Sequence, residues 1–424
     1  MLASKAALIC ILCISSLVKA EQSDNLSLAT ALSIATQDNP SLAQMQARYQ
    51  AMSAIPLQRG SLPDPIISFN ALNLPVDSFD LAQENMTQMQ GGISQSVPFF
   101  GKLSLREETA NFQAEAAKYD VEESLLKLLS AVKNIWWRLF YLQRSLDIVS
   151  LNQNLLRQFV AIARTKYEVG EGLQQDVLLA QLELSKLLDT KIKLQAAVKK
   201  SQAQLNALLS KPANQSITLP KQVAETLATL KTETLLYAEA DKMRALLSSQ
   251  RESIHAAQSR VKLAEKDLLP DFNVGVFYGG RADNLSGQER ADLMSFKVSM
   301  NLPLFTASKQ QKAIDQHNSE LMQQRYRLKD QWNQVRADIS SLYSDYQQHQ
   351  QQSVLFKQGI IPQARQTVAS MLAGYQVNKV DFLNLVRSQI TLYNYEIQYW
   401  QALTKAKQAA AQLIAVVGKD EIYE

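Results

Sequence analysis

The chain has 424 residues, with 44 Lys plus Arg against 40 Asp plus Glu, and carries only 13 Gly and 11 Pro. Both fall well below the usual roughly 7% and 5%, which argues against collagen-like, low-complexity and turn-rich all-β chains and favours long helices. A net charge of +4 with no Lys/Arg block excludes a nucleic-acid binder held by phosphate neutralisation.

Residues 1–20 read as an export signal: Lys5 gives a positive start, Ala6 to Val18 is an apolar run too short to span a bilayer, and Val18-Lys19-Ala20 offers a cleavage site. A lipoprotein signal at Cys10 or Cys13 is disfavoured, because Ile9 and Leu12 stand where a small residue is wanted. Cleavage after Ala20 removes both cysteines, so the mature chain has no disulfide, thiol nucleophile or thiolate ligand. The loss of Lys5 and Lys19 lowers the net charge from +4 to +2.

The rest of the chain repeats itself. Leu62-Pro63-Asp64 returns as Leu269-Pro270-Asp271, Val97-Pro98-Phe99-Phe100 as Leu302-Pro303-Leu304-Phe305, and Tyr167-Glu168-Val169 as Tyr375-Gln376-Val377, all at a spacing of about 207 residues. The predicted units are a first repeat over 21–209, an inter-repeat segment over 210–233, a second repeat over 234–418 and a tail over 419–424.

In each repeat a helical stretch comes first, then two short alternating segments. Ile67, Phe69 and Ala71 alternate with polar residues, as do Met89, Gly91, Ile93 and Val97. The second repeat shows the pattern more cleanly, in Phe272 to Tyr278 and Met294 to Leu302. Half-buried hairpins on a soluble core would give this pattern, and so would four membrane strands of the required nine to eleven residues. Leu125, Leu128, Val132, Ile135, Leu139, Leu142, Leu146, Val149, Gln153, Leu156, Val160 and Ala163 then form a heptad seam. A helix from Ser104 to Tyr167 is about 95 Å long. After a turn a second seam runs from Leu173 to Leu208, and the second repeat has its own version in Ser308 to Leu372 and in Leu383, Val386, Ile390, Tyr393, Ile397 and Trp400. Four strands cannot close a barrel, because closed membrane barrels begin at eight, so membrane-crossing strands require an oligomer.

Gly374-Tyr375-Gln376-Val377-Asn378, with Thr391-Leu392-Tyr393-Asn394 downstream, resembles the last hairpin turn of TolC-type outer-membrane efflux proteins, and Tyr167 to Gly170 is similar to their first. The resemblance covers essentially the whole mature chain. It implies a mainly α fold with a membrane β-barrel: a homotrimer in outer-membrane lipid, each chain giving four strands and long antiparallel helical hairpins to a β-barrel and a periplasmic α-barrel. It implies a passive duct working with a periplasmic adaptor and an inner-membrane pump of the RND type, with no cofactor and no enzymatic role. Ser96 to Leu103, reading SVPFFGKL, and Leu269 to Phe272, reading LPDF, with Met294 to Phe305, reading MSFKVSMNLPLF, are most similar to the heavy-metal exporting (CzcC/CusC-like) subgroup. Multidrug export is the alternative.

By the same resemblance the hairpin tips form the aperture. Tyr167, Val169, Gly170, Leu173, Val377 and Asn378 correspond to adaptor-docking tips, and Tyr375, Val380, Asn384, Arg387, Asp176 and Asp381 to the gate. Tyr375 matches a gate tyrosine that bonds to neighbouring hairpins. The family's gate arginine falls on Val380, and its paired entrance aspartates on Asn384 and Arg387. A ring of Arg387 would repel cations unless it pairs with Asp176 or Asp381 or faces away from the lumen. His255, His317 and His349 are scattered and read as surface residues, and Met86 and Met89 as a loop or rim, so no metal site is assigned. A periplasmic coiled-coil adaptor is the non-pore alternative; apolar strand faces in both repeats favour the pore.

Overall fold

The computed structural model describes residues 25–423, so the export signal over 1–20 and both cysteines lie outside the described residues. The chain opens with α1 (Leu28–Gln37), α2 (Pro40–Ser53) and α3 (Ile55–Gly60), which lead into strands β1 (Ile66–Leu72) and β2 (Gln88–Val97). Helices α4 (Lys102–Glu168) and α5 (Gln174–Leu208) form the first long hairpin. After the inter-repeat segment, α6 (Glu233–Met243) and α7 (Ala245–Lys266) lead into β3 (Phe272–Gly280) and β4 (Leu293–Met300). The second hairpin is α8 (Gln310–Leu355), a π-helical turn over Phe356–Ile360, α9 (Ile361–Gln376) and α10 (Phe382–Val417).

The 67 residues of α4 make a rod of about 100 Å. Such a length needs its seam buried, and Val132, Leu139, Leu142, Val149, Gln153, Leu156 and Ala163 are all buried. The expected unbroken helix from Ser308 to Leu372 is instead interrupted at the π turn. Pro362 has no N–H and its ring crowds the carbonyl four residues back, so the helix widens just before it.

The seam expected on α10 is also displaced. Of the expected seam Val386 is buried, but so are Phe382, Leu385, Leu392, Tyr399 and Leu403 outside it, whereas Leu383 is exposed and Ile390, Tyr393, Ile397 and Trp400 are half-buried. The reason is that α10 packs on α4 along one side and on α8 and α9 along another, so two adjacent stripes are apolar.

Two repeat-equivalent cores sit at mid-height. One joins Ala31 and Ala35 of α1 to Val132, Trp136 and Leu139 of α4, Leu205, and Ile217 and Leu219 of the inter-repeat segment. Its counterpart joins Leu236 of α6 to Ile339 and Tyr346 of α8 and Leu413 of α10. The inter-repeat segment crosses both helical layers and returns through an antiparallel bridge from Leu230 to Tyr423. A third cluster lies far from the sheet and unites Phe159 and Ala163 with Tyr375, Phe382 and Leu385.

The four strands form one antiparallel sheet in the order β1-β2-β3-β4. The repeats are therefore joined through β2 and β3, with Ile93 opposite Val276, and β1 and β4 are left as edges.

Candidate functional site: the sheet faces and the hairpin tips

Register divides the sheet into two unlike faces. Ile67, Ile93, Val276 and Phe296 stand side by side across the four strands, as do Phe69, Gly91, Tyr278 and Met294. This face is bare: Phe69 is 84% and Phe296 76% exposed. The opposite face carries Ser68, Asn70, Gln90, Ser94, Ser96, Asn273, Ser295, Lys297 and Ser299, with Ile66 and Leu72 at the two ends of β1. Phe277 is its one aromatic, and its ring covers Gly92 and Gly275, where any Cβ would come within 2.8 Å of it. One face thus suits hydrocarbon and the other suits water, the division a membrane barrel requires. Among the described residues no helix is long and apolar enough to cross a membrane.

The sheet is fastened to the helices by one buried cation. Lys102, at the start of α4, is 2% exposed, and its Nζ donates to Asp271 Oδ1 at 2.8 Å and to the Leu269 carbonyl at 3.0 Å, with Asp267 Oδ1 at 3.2 Å. Asp271 also accepts from the Phe99 N–H at 2.8 Å. The two repeated motifs therefore meet: Lys102 follows the turn after β2, and Asp271 precedes β3. Gly101, at φ +88°, makes the sharp entry into α4 that brings Lys102 inward.

At the far end both hairpins close with the same backbone motif. In the first, the Glu171 N–H reaches the Lys166 carbonyl at 2.9 Å and the Gly170 N–H the Tyr167 carbonyl at 3.1 Å; in the second, Lys379 reaches Gly374 at 2.9 Å and Asn378 reaches Tyr375 at 3.2 Å. These are Schellman caps, which need a left-handed residue. Gly170, at φ +78°, and Asn378, at φ +57°, fill that position with two residue types that tolerate it.

The candidate gate residues divide into two groups. Tyr375 is 6% exposed and packs on Phe382 at a centroid distance of 5.2 Å, with Phe159 beyond. Its hydroxyl has no hydrogen-bond partner among the described residues. Val380 packs so close to Gly374 that a Cβ there would meet Val380 Cγ2 at 2.6 Å. Asp176 and Asp381 face each other across the two tips; burial, then the Asp381 charge, raises the Asp176 carboxyl above its ordinary range. Asn384 and Arg387, by contrast, are exposed on α10. Among the described residues Arg387 forms no ion pair, with Asp176, Asp381 or any other acid, so that expected pairing is absent within the chain.

Of the candidate tip residues, Val169, Leu173 and Val377 are 65%, 59% and 63% exposed, and Tyr167 47%. Bare apolar groups at the ends of both hairpins of a charged coiled coil mark those ends as places for a partner.

Sequence reasoning missed Lys166. Its Nζ donates to the Tyr375 carbonyl at 2.9 Å and to Asn378 Oδ1, and lies 4.5 Å from the centroid of the Tyr375 ring. One lysine of the first tip thereby holds three groups of the second. The available signal was a basic residue in the last turn of a helix, where carbonyls are free.

A sheet with one lipid-suited face, joined through a polar junction to long helical hairpins of which α4 alone is about 100 Å, has the build of a barrel-forming channel element. The chain belongs to the outer membrane efflux protein family, whose model matches residues 31–211 and 236–419, one stretch in each repeat. It is 22% identical over 315 residues to the outer membrane efflux protein BepC of Brucella suis biovar 1 (strain 1330), a match spanning 72% of this chain and 66% of that relative. The fold is shared with the outer membrane protein VceC of Vibrio cholerae, at TM-score 0.78 and 19% identity over 93% of this chain and 97% of the other. It is shared equally with CusC, at TM-score 0.78 and 15% identity over 93% and 92% of the two chains.

Proposed function

We propose that this protein is the exit duct of a tripartite efflux system, a homotrimer in the outer membrane whose helical tips reach into the periplasm and open when an adaptor docks on them. The four-stranded sheet with one apolar and one polar face carries this reading. Its two edge strands leave backbone groups unpaired, which lipid does not tolerate, and three copies supply a closed barrel of twelve strands. The bare stripe of Leu178, Leu182 and Ile192 on α5, 52% to 65% exposed, supports lateral packing of hairpins between copies. The apolar patch of Tyr167, Val169, Leu173 and Val377 around Gly170 and Asn378 is the adaptor-docking surface in this reading. Tyr375, Val380, Asp176 and Asp381 line the closed aperture, with Asn384 and Arg387 above them; an RND-type pump supplies the cargo. Outer-membrane fractionation and an oligomer in mild detergent are the expected results, and a soluble monomer would end the proposal.

The likeness of SVPFFGKL and MSFKVSMNLPLF supports heavy-metal cations as the cargo. The exposed, unpaired Arg387 favours a second reading, export of drugs or dyes, since a ring of guanidinium groups disfavours cations. Deletion followed by growth on copper, silver, zinc, cadmium, dyes and antibiotics separates them. Metal-only sensitivity supports the first reading, and dye or drug sensitivity the second.

Acid is expected to tighten the tips. Because the folded carboxyl of Asp176 is raised above its unfolded value, its favourable contribution is complete below the ordinary carboxylate range and is lost as pH rises through the raised value. Closed-channel conductance in planar bilayers should fall on acidification from neutral pH, and Asp176→Asn should flatten that response. An unaltered pH response in Asp176→Asn would reject the assignment.

A further inference from the structure

The π turn at Phe356–Ile360 has no counterpart in the first repeat. There α4 runs unbroken through the same height, with Asn154 standing 208 residues before Pro362. In the second repeat the Ile361 N–H bonds to the Phe356 carbonyl, five residues back. A π turn is wider and less well packed than an α turn and marks places where a helix bends or does work.

At this height a single carboxylate reaches both legs of the second hairpin. Glu225, in the inter-repeat segment, accepts from the Tyr399 hydroxyl of α10 at 2.6 Å and is ion-paired through the same oxygen with Lys357 of the π turn. The next three residues are tied down as well: Lys407 Nζ donates to the Thr226 carbonyl at 2.6 Å, Gln350 Nε2 to Leu227 at 3.2 Å and the Tyr346 hydroxyl to Ala228 at 2.6 Å. Above the turn α8 is set in the mid-height core through Ile339 and Tyr346. Below it α9 rests on α10 through a small cluster of Ile361, Val368, Leu392 and Tyr399. The rod is thus anchored in the mid-height core on one side of the turn and, on the other, by α10 and the tip cluster that takes in Met371, Leu372 and Tyr375.

We propose that the π turn is the flexure of the second hairpin, and that Glu225 is the pin that ties both legs together there and limits how far the segment below can bend. Opening at the tips then needs α9 and the lower half of α10 to lean away from α4, while the first hairpin stays straight. The link to opening rests on the aperture reading; the flexure itself does not.

The test is distance measurement between spin labels in the detergent-solubilised oligomer, diluted with unlabelled chains. One pair sits below the turn, at the exposed Gln158 and Gln366, and a control pair sits above it, at Lys127 and Gln323. Glu225→Gln removes the charge that holds Lys357 and is expected to widen the lower distribution about twofold while leaving the upper pair unchanged. Pro362→Ala restores a backbone donor and should narrow the lower distribution. A lower distribution that neither variant alters overturns the flexure, and so does equal widening of both pairs, which reports general loosening. A conductance rise in Lys166→Met without any change of width removes the flexure and keeps the aperture; widening without that rise removes the aperture and keeps the flexure.

Discussion

Lys166→Met is expected to raise the closed-state conductance of the reconstituted channel about tenfold, while Lys166→Arg stays near wild type. The variant removes two charge-assisted hydrogen bonds, to the Tyr375 carbonyl and Asn378 Oδ1, and the cation above the Tyr375 ring. Charge-assisted bonds contribute roughly 1.5–3 kcal/mol each when protected and much less when exposed. The lysine is half-buried, so a net loss of about 1.4 kcal/mol is a fair scale, and that is tenfold in an equilibrium. Planar-bilayer recording reads the result directly. Equal conductance in wild type and Lys166→Met would show that the contact closes nothing. In the proposed aperture, where Val380 stands at the position the resemblance gives to a gate arginine, Lys166 of the other hairpin would supply the cation instead.

Asp271→Ala is expected to cost about 2–3 kcal/mol, below the roughly 3–5 kcal/mol for breaking a fully buried pair, because the Asp271 side chain is 33% exposed. Lys102 would remain 2% exposed and keep only Asp267 and the Leu269 carbonyl, while the Phe99 N–H would lose its acceptor. Lys102→Met should cost less, since its apolar stem fills the same space and Asp271 can reach water. Heat-dissociation of the oligomer on gels ranks the two. If Lys102→Met proves the more damaging, the burial of the lysine charge is not the controlling term. Because these residues fasten the strands to the helices, the yield of membrane-inserted protein should follow the same order.

Much of this architecture was legible beforehand for a simple reason: period-2 and period-3.5 patterns persist over many residues, and the chain states each pattern twice. The seam on α4 was readable because one face of a 67-residue rod must be buried. The seam on α10 was read only in part because that helix has neighbours on two sides, and a stripe cannot report which neighbour it serves. The π turn was missed although Pro362 was visible in the sequence, since the heptads continue on both sides of it. The tips were found through Tyr167 and Tyr375, but their partners were not. Lys166 and Tyr375 lie 209 positions apart, as Lys102 and Asp271 lie 169 apart, and nothing local in the chain announces contacts of that range. The SVPFFGK and LPDF motifs served first only as marks of likeness; the Lys102 to Asp271 bond gives them a physical role.

The bare edges of β1 and β4 bear on biogenesis. A lone copy would offer lipid two rows of unpaired amides and carbonyls, so in the proposed barrel copies must meet before or during insertion, and the supply of finished channels would depend steeply on how many chains are waiting. A copy with a blocked edge also wastes its companions. In the proposed trimer, a cell making sound and edge-blocked chains in equal amounts would build only about one barrel in eight from three sound copies by random mixing. Defects at these two strands should therefore behave as dominant, whereas defects confined to one hairpin tip leave the barrel whole.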